Sequence, residues 1–122
     1  MMYKCKLTVL KTTIQKEIAE EYGVKNIGSC PLLKEGQIFY ADYRKPDGFC
    51  DEAWKAIYQY VFALSNGAAT DSSFYFDNWI NPDHPHTAIC SCNDGLRPVI
   101  IKVERTSELA EHGIQKCLEG LT

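Results

Sequence analysis

Near the N-terminus Tyr3, Cys5, Leu7 and Val9 alternate with Lys4, Lys6 and Thr8. Alternation of this kind puts one set of side chains on each face of an extended chain, so it predicts an opening strand with one buried face. The period then lengthens. Thr12 followed by Gln15 fits a capping box, Ile14, Ile18 and Tyr22 recur at helical spacing, and Gly23 supplies a stop, which together predict a short amphipathic helix. The run Asn26-Ile27-Gly28-Ser29-Cys30-Pro31 carries loop punctuation, and Pro31 pushes Cys30 into an extended conformation. A second strand is expected from Gln37 to Tyr43, followed by a Pro46-Asp47-Gly48 turn. The strongest helical pattern comes next, with Cys50, Ala53, Trp54, Ile57, Tyr58, Val61 and Phe62 at three- and four-residue spacing up to a stop at Asn66-Gly67.

Beyond that helix the pattern fragments. Ala68 to Ser73 reads as a small polar loop, Phe74-Tyr75-Phe76 as a short strand, and Pro82 and Pro85 argue against regular structure between Asp77 and His86. Thr87 to Cys92 and Arg97 to Arg105 flank Asn93-Asp94-Gly95 and predict a hairpin, whose Val99-Ile100-Ile101-Lys102-Val103 run suits the centre of a sheet. Ser107 is placed to cap a last helix carrying Ala110, Ile114, Cys117, Leu118 and Leu121 on one stripe, with Gly113 weakening it. The expected fold is therefore α+β. It is a single domain over residues 1–122, with an antiparallel sheet of four or five strands, one dominant helix packed on a face and two shorter helices.

Composition narrows the class without naming a function. A chain of 122 residues can bury a core unaided, and 45% apolar with 24% charged residues is ordinary for a globular protein. Thirteen basic residues against 16 acidic ones give a formal charge of −3, and the basic residues are scattered, so a nucleic-acid partner is not expected. Charges interrupt every apolar stretch well before membrane-spanning length, and the polar alternation over Met1 to Lys11 is unlike a signal peptide. The expectation is a cytoplasmic protein with no membrane partner. In that compartment its six cysteines would be reduced thiols rather than bridges.

Several blocks fit a wider pattern: Cys30-Pro31, Gly36-Gln37-x-Phe39, Gly48-Phe49-Cys50-x-x-Ala53-Trp54, Tyr60-Val61-Phe62-Ala63-Leu64 and Cys92-x-Asp94-Gly95-x-Arg97-Pro98-Val99. In these blocks the chain resembles a family of small uncharacterised prokaryotic proteins, with the likeness running from about Tyr3 to Arg105. Members often carry Cys-Pro-Asp-Gly in the last block, where this chain has Asn93 in place of the Pro. The resemblance implies no established activity. It does imply that Cys30, Cys50 and Cys92 are the positions of interest, with Cys5 and Cys117 outside the motifs.

The residues themselves give the thiols mixed chemistry. Cys50 falls at the start of the long helix, where free N–H groups favour a thiolate, but Asp51 and Glu52 follow immediately and oppose it. Cys90 and Cys92 lie two apart on an expected strand and so share a face. Zinc requires tetrahedral ligands at about 2.3 Å, and Cys30, Cys50, Cys92 and Cys90 would supply up to four of them if their junctions met. Alternatively one thiol attacks and a second resolves, with His84 or His86 as a nearby base and His112 a solvent-facing residue.

Asp94 reads first as a turn device, and Arg97 either pairs with a carboxylate such as Asp51 or Asp77 or contacts an anionic ligand. Tyr60 lies off the main apolar face of its helix, and its joint exposure with Trp79 would mark an interaction surface or a homodimer contact. No phosphate loop, dinucleotide fingerprint, nucleophile elbow or H-E-x-x-H motif is present. Three functional expectations follow: a non-catalytic binding or interaction module, a thiolate site for Zn or Fe using Cys30, Cys50, Cys92 and Cys90, and a thiol-based redox enzyme with Cys50 or Cys92 as nucleophile.

Overall fold

A computed structural model describes residues 2–42, 44–68 and 75–110. Its sheet has four antiparallel strands in the order β2-β1-β4-β3, formed by β1 (Tyr3–Thr12), β2 (Ile38–Ala41), β3 (Thr87–Ser91) and β4 (Val99–Leu109). Two α-helices, α1 (Lys16–Tyr22) and α2 (Asp51–Ser65), and a single turn of 3-10 helix over Tyr75–Asn78 complete the described elements. At this level the α+β architecture expected from the sequence is what the chain adopts.

The opening alternation decides the inner face of the sheet. Cys5, Leu7 and Val9 of β1 are buried beside Val99, Ile101 and Val103 of β4, with Leu7 opposite Val103 and Val9 opposite Ile101. Ala88 and Cys90 of β3 and Ala41 of β2 continue the same layer. Helix α2 lies against β1, β3 and β4 and closes the layer with Ala53, Ile57, Val61 and Leu64. A bulge after Val9 sets Leu10 outside the register, so Lys11 rather than Leu10 stands opposite Ile100.

Local chemistry positions both ends of α2. Gly48 adopts φ +80° and lets Phe49 N–H close back onto Pro46 O at 3.2 Å, a turn that delivers Cys50 to the helix N-cap. Asp51 and Glu52 in the first turn suit the positive end of the helix dipole. At the other end Gly67, at φ +100°, donates to Leu64 O while Ala68 donates to Ala63 O, a Schellman stop.

The hairpin expectation holds, since β3 and β4 pair antiparallel from Thr87↔Glu104 to Ser91↔Ile100. Of these two strands only β4 is interior, beside β1; β3 lies at an edge. Other expectations need correction. Thr12 belongs to β1 and gives its N–H to Glu35, so the proposed capping box does not form, and the N-cap of α1 is Gln15 without a side-chain bond. In α1 it is Ala19 that is buried, while Ile14, Ile18 and Tyr22 are exposed.

Tyr75 and Phe76 start the 3-10 turn instead of a strand, because Phe76 O accepts from both Trp79 N and Ile80 N. Ser107 does not cap a helix. It extends β4, whose Leu109 stands opposite Tyr3 and whose successor Ala110 donates to Met2 O. The remainder of that expected helix, with His112, Gly113, Ile114, Cys117, Leu118 and Leu121, lies outside the described residues, as do Tyr43 and Phe74. No helix among the described residues is long and apolar enough to cross a membrane.

Candidate functional site

The strand alternation sorts the cysteines into two groups. Cys5, midway along β1, is fully buried, and its Sγ lies 3.4 Å from Ser65 Oγ and 3.7 Å from Val61 O. Burial pushes this thiol up to about 11, outweighing the Ser65 hydrogen bond and the Arg105 charge. Cys90 on β3 is likewise buried, which pushes it up to about 12. A thiol held protonated in an apolar layer is a poor nucleophile and a poor ligand. Cys90 therefore leaves the candidate set, although Cys92 is only two residues away.

Cys30, Cys50 and Cys92 come together. They line one pocket of about 240 Å³ with Leu32, Glu52, Ala53, Asn93, Asp94 and Arg97. All three are half-buried free thiols packed against the edge of the core. Three separate stretches converge there: the Cys30-Pro31-Leu32 loop, the start of α2, and the connection from β3 to β4. The fold brings the last two into direct contact, since Asn93 Nδ2 donates to Glu52 O at 3.3 Å. Cys92 N–H donates to Val99 O at 3.1 Å, and Cys92 Sγ in turn accepts Val99 N–H at 3.3 Å, which fixes the sulfur at the mouth of the hairpin.

Asp94 organises the pocket rim. Its Oδ1 accepts Leu96 N–H at 2.9 Å and Arg97 N–H at 3.1 Å, and its Oδ2 accepts Arg97 Nε–H at 2.9 Å. Partial burial raises the Asp94 pKa, but these bonds and the Arg97 charge outweigh it and hold the carboxyl below the ordinary carboxylate range. Arg97 thus pairs with Asp94 rather than with Asp51, and the side chain of Asp77 lies outside the described residues. Asp51 is taken by Lys45 at 3.1 Å, and Glu52 by Lys55 at 2.8 Å. The sequence singled out Cys30, Cys50, Cys92, Asp94 and Arg97 but missed Leu32 and Asn93, whose only signal was adjacency to Pro31 and to Cys92.

The other expected groupings separate. Among the described residues no set of three or more His, Cys, Asp or Glu side chains is placed to hold a metal ion, so the shared pocket is not a formed ligand set for Zn or Fe. His84 and His86 precede β3 whereas Cys92 follows it, and an extended strand of that length sets them roughly 20 Å from the pocket. Neither lines it.

Tyr60 is half-buried against Phe76, with ring centroids 5.2 Å apart, and Phe76 in turn meets the exposed Trp79 at 5.7 Å. The expected joint exposure of Tyr60 and Trp79 is thus not found. The helix presents Tyr58 and Phe62 outward instead, at the end of a series of ring contacts running Phe39, Phe49, Trp54, Tyr58, Phe62.

Other hollows lie elsewhere among the described residues. One of about 220 Å³ is edged by Lys4, Tyr40 and Asp42, and one of about 380 Å³ lies along α1 and Val24. Neither gathers thiols or the ends of several elements. Compared with known proteins, the chain matches no family model, no curated protein and no solved structure.

Proposed function

We propose that the protein is a small-ligand-binding module of the reducing cytoplasm, and that its ligand site is the pocket lined by Cys30, Cys50 and Cys92. In this reading α2 is the dominant helix of the domain, and its first turn forms one wall of the site. The observation that carries the proposal is the convergence of three half-buried thiols, Leu32 and Ala53 on one hollow at the junction of a loop, a helix start and a hairpin connection. Ligand sites are characteristically concave, largely apolar and edged by a few oriented polar groups.

The size and charge of the pocket define its ligand. A volume of about 240 Å³ is below the usual range of roughly 300–1,000 Å³, so the ligand is smaller than a drug-sized molecule. Every charged side chain lining it has a partner, Arg97 with Asp94 and Glu52 with Lys55. With these charges balanced in pairs, the pocket favours a neutral molecule selected by shape and apolar area. Catalysis and nucleic-acid binding form no part of this reading.

A screen of small neutral compounds by ¹H–¹⁵N correlation spectroscopy tests it. Shift changes should cluster on Cys30, Ala53 and Asn93 to Arg97. Leu32 is 68% exposed and lines the pocket, so Leu32→Asp should leave the fold intact. It should nonetheless weaken binding about tenfold, the effect expected when an apolar contact worth about 1.4 kcal/mol is lost. Compounds that shift only the residues of the other hollows, or that bind Leu32→Asp equally well, would remove the basis for the proposal.

A further inference from the structure

We infer that the same pocket houses a redox-active dithiol, in which Cys50 and Cys92 join as an intramolecular disulfide on meeting a peroxide and part again with a dithiol reductant. This rests on the pocket being an open site of the native protein, as proposed above. Cys5 and Cys90 are sealed in the core at 0% and 7% exposure, so among the described residues oxidation is directed to the pocket thiols. Among these, Cys50 and Cys92 sit on segments that are hydrogen-bonded to one another, since Asn93 follows Cys92 and grips Glu52, two residues beyond Cys50.

Both sulfurs occupy element ends, where small movements are cheap. Cys50 is the N-cap of α2 with its side chain unused in capping, so its sulfur can turn into the pocket without breaking a helix bond. Cys92 lies one residue beyond the end of β3, and the bond its sulfur accepts, from Val99 N–H, is one that a disulfide sulfur can still accept. A disulfide needs Cα atoms about 4.4–6.8 Å apart, so its formation draws the hairpin connection and the helix start together across the pocket they share.

The chemistry is a two-electron oxidation. The thiolate of one cysteine attacks a peroxide oxygen; an S–O bond forms, the O–O bond breaks, and the departing hydroxide takes a proton to become water. The second thiolate then attacks the sulfenic sulfur; an S–S bond forms, the S–O bond breaks, and a second water leaves. Both electrons come from the two sulfurs, both thiol protons end in water, and hydrogen peroxide is the only co-reactant. The product ties α2 to the hairpin connection across the pocket, so the oxidised protein is closed to the ligand.

The full chain, treated with hydrogen peroxide and then blocked with iodoacetamide, gives a direct test by mass spectrometry. Pro46 and Pro98 prevent cleavage after Lys45 and Arg97, so trypsin leaves Cys50 in peptide 45–55 and Cys92, together with Cys90, in peptide 56–102. The expected result is loss of two hydrogens from most chains and a 45–55 to 56–102 cross-link. The link should persist in Cys90→Ala and in Cys30→Ser and vanish in Cys92→Ser.

A link to the Cys30 peptide 26–34, a disulfide between two chains, a sulfinic acid product, or no loss of hydrogens would each overturn the inference. These measurements on the wild-type chain do not depend on any variant folding. Ligand binding by the reduced protein is measured separately, so failure of the dithiol leaves the binding proposal standing on its own test.

Discussion

Asp94 is the residue through which the pocket rim is most directly tested, because one carboxylate holds three donors. Asp94→Ala removes the acceptors for Leu96 N–H, Arg97 N–H and Arg97 Nε–H. The side chains of Asp94 and Arg97 are about one-third exposed, so water reaches the orphaned donors and each bond counts at the low end of its range. Three bonds at roughly 0.5 kcal/mol each put the loss at about 1–2 kcal/mol, or roughly 4–8 °C in Tm for a domain of this size. Asp94→Asn keeps an amide oxygen for the backbone donors and loses the ion pair, so it should fall between the two.

The pH dependence adds a sign. The folded pKa of Asp94 is below the unfolded value, so its stabilisation is complete above the ordinary carboxylate pKa and disappears as pH falls through the folded one. Chemical denaturation of wild type, Asp94→Ala and Asp94→Asn at pH 7 and pH 2.5 reads both effects, and the gap between wild type and Asp94→Asn should narrow at low pH. Equal stability of wild type and Asp94→Ala at pH 7, or a wild-type to Asp94→Asn gap unchanged between the two pH values, would refute the reasoning.

Two other outcomes test the core and the sorting of the thiols. In the native protein at pH 8, iodoacetamide should label Cys30, Cys50 and Cys92 and spare Cys5 and Cys90, which burial pushes up to about 11 and about 12. Peptide mapping reads this, and labelling of Cys5 or Cys90 at the rate of the pocket thiols would contradict their burial. Ile57 of α2 is fully buried between the helix and the sheet. Ile57→Ala should destabilise by about 3 kcal/mol in urea denaturation, within the roughly 2–5 kcal/mol range for such truncations, and a loss under about 1 kcal/mol would mean that α2 is not packed as described.

The parts of the fold legible in the sequence are those whose period is unambiguous. β1 announced its buried face through Cys5, Leu7 and Val9, and Gly48 and Gly67 marked the two ends of α2 because each takes a positive φ. Sequence reasoning failed where a pattern had two solutions. Trp54, Tyr58 and Phe62 share helical spacing with Ile57 and Val61, but the sheet accepts only a narrow stripe, and Ala53, Ile57, Val61 and Leu64 fill it. The aromatic stripe is rotated outward, where Trp54 meets Tyr58 edge-on and Tyr58 meets Phe62 at a tilt. Ser107 carried a capping signal that strand pairing overrode, since the bond between Ala110 N–H and Met2 O depends on the far end of the chain, which a local pattern cannot see.

The site was legible for a related reason. A cysteine inside a strand inherits its burial from the alternation, and so Cys5 and Cys90 were bound to face the core once β1 and β3 formed. A cysteine at an element boundary is free of that rule. Cys30 in the loop between α1 and β2, Cys50 at an N-cap and Cys92 beyond a strand end all lie outside the strands, and they gather at one edge of the layer. What the sequence lacked was the choice of edge. His84 and His86 are boundary residues too, but they mark the opposite end of β3 from Cys92. The sheet order and the Asn93 to Glu52 bond, neither of them visible in a one-dimensional pattern, put three thiols and the Asp94–Arg97 pair at one end and leave the histidines at the other. Among the described residues no imidazole lines the pocket, and attack by thiols on a peroxide, whose hydroxide leaving group takes up the proton the thiol has lost, suits that arrangement better than acyl or group transfer.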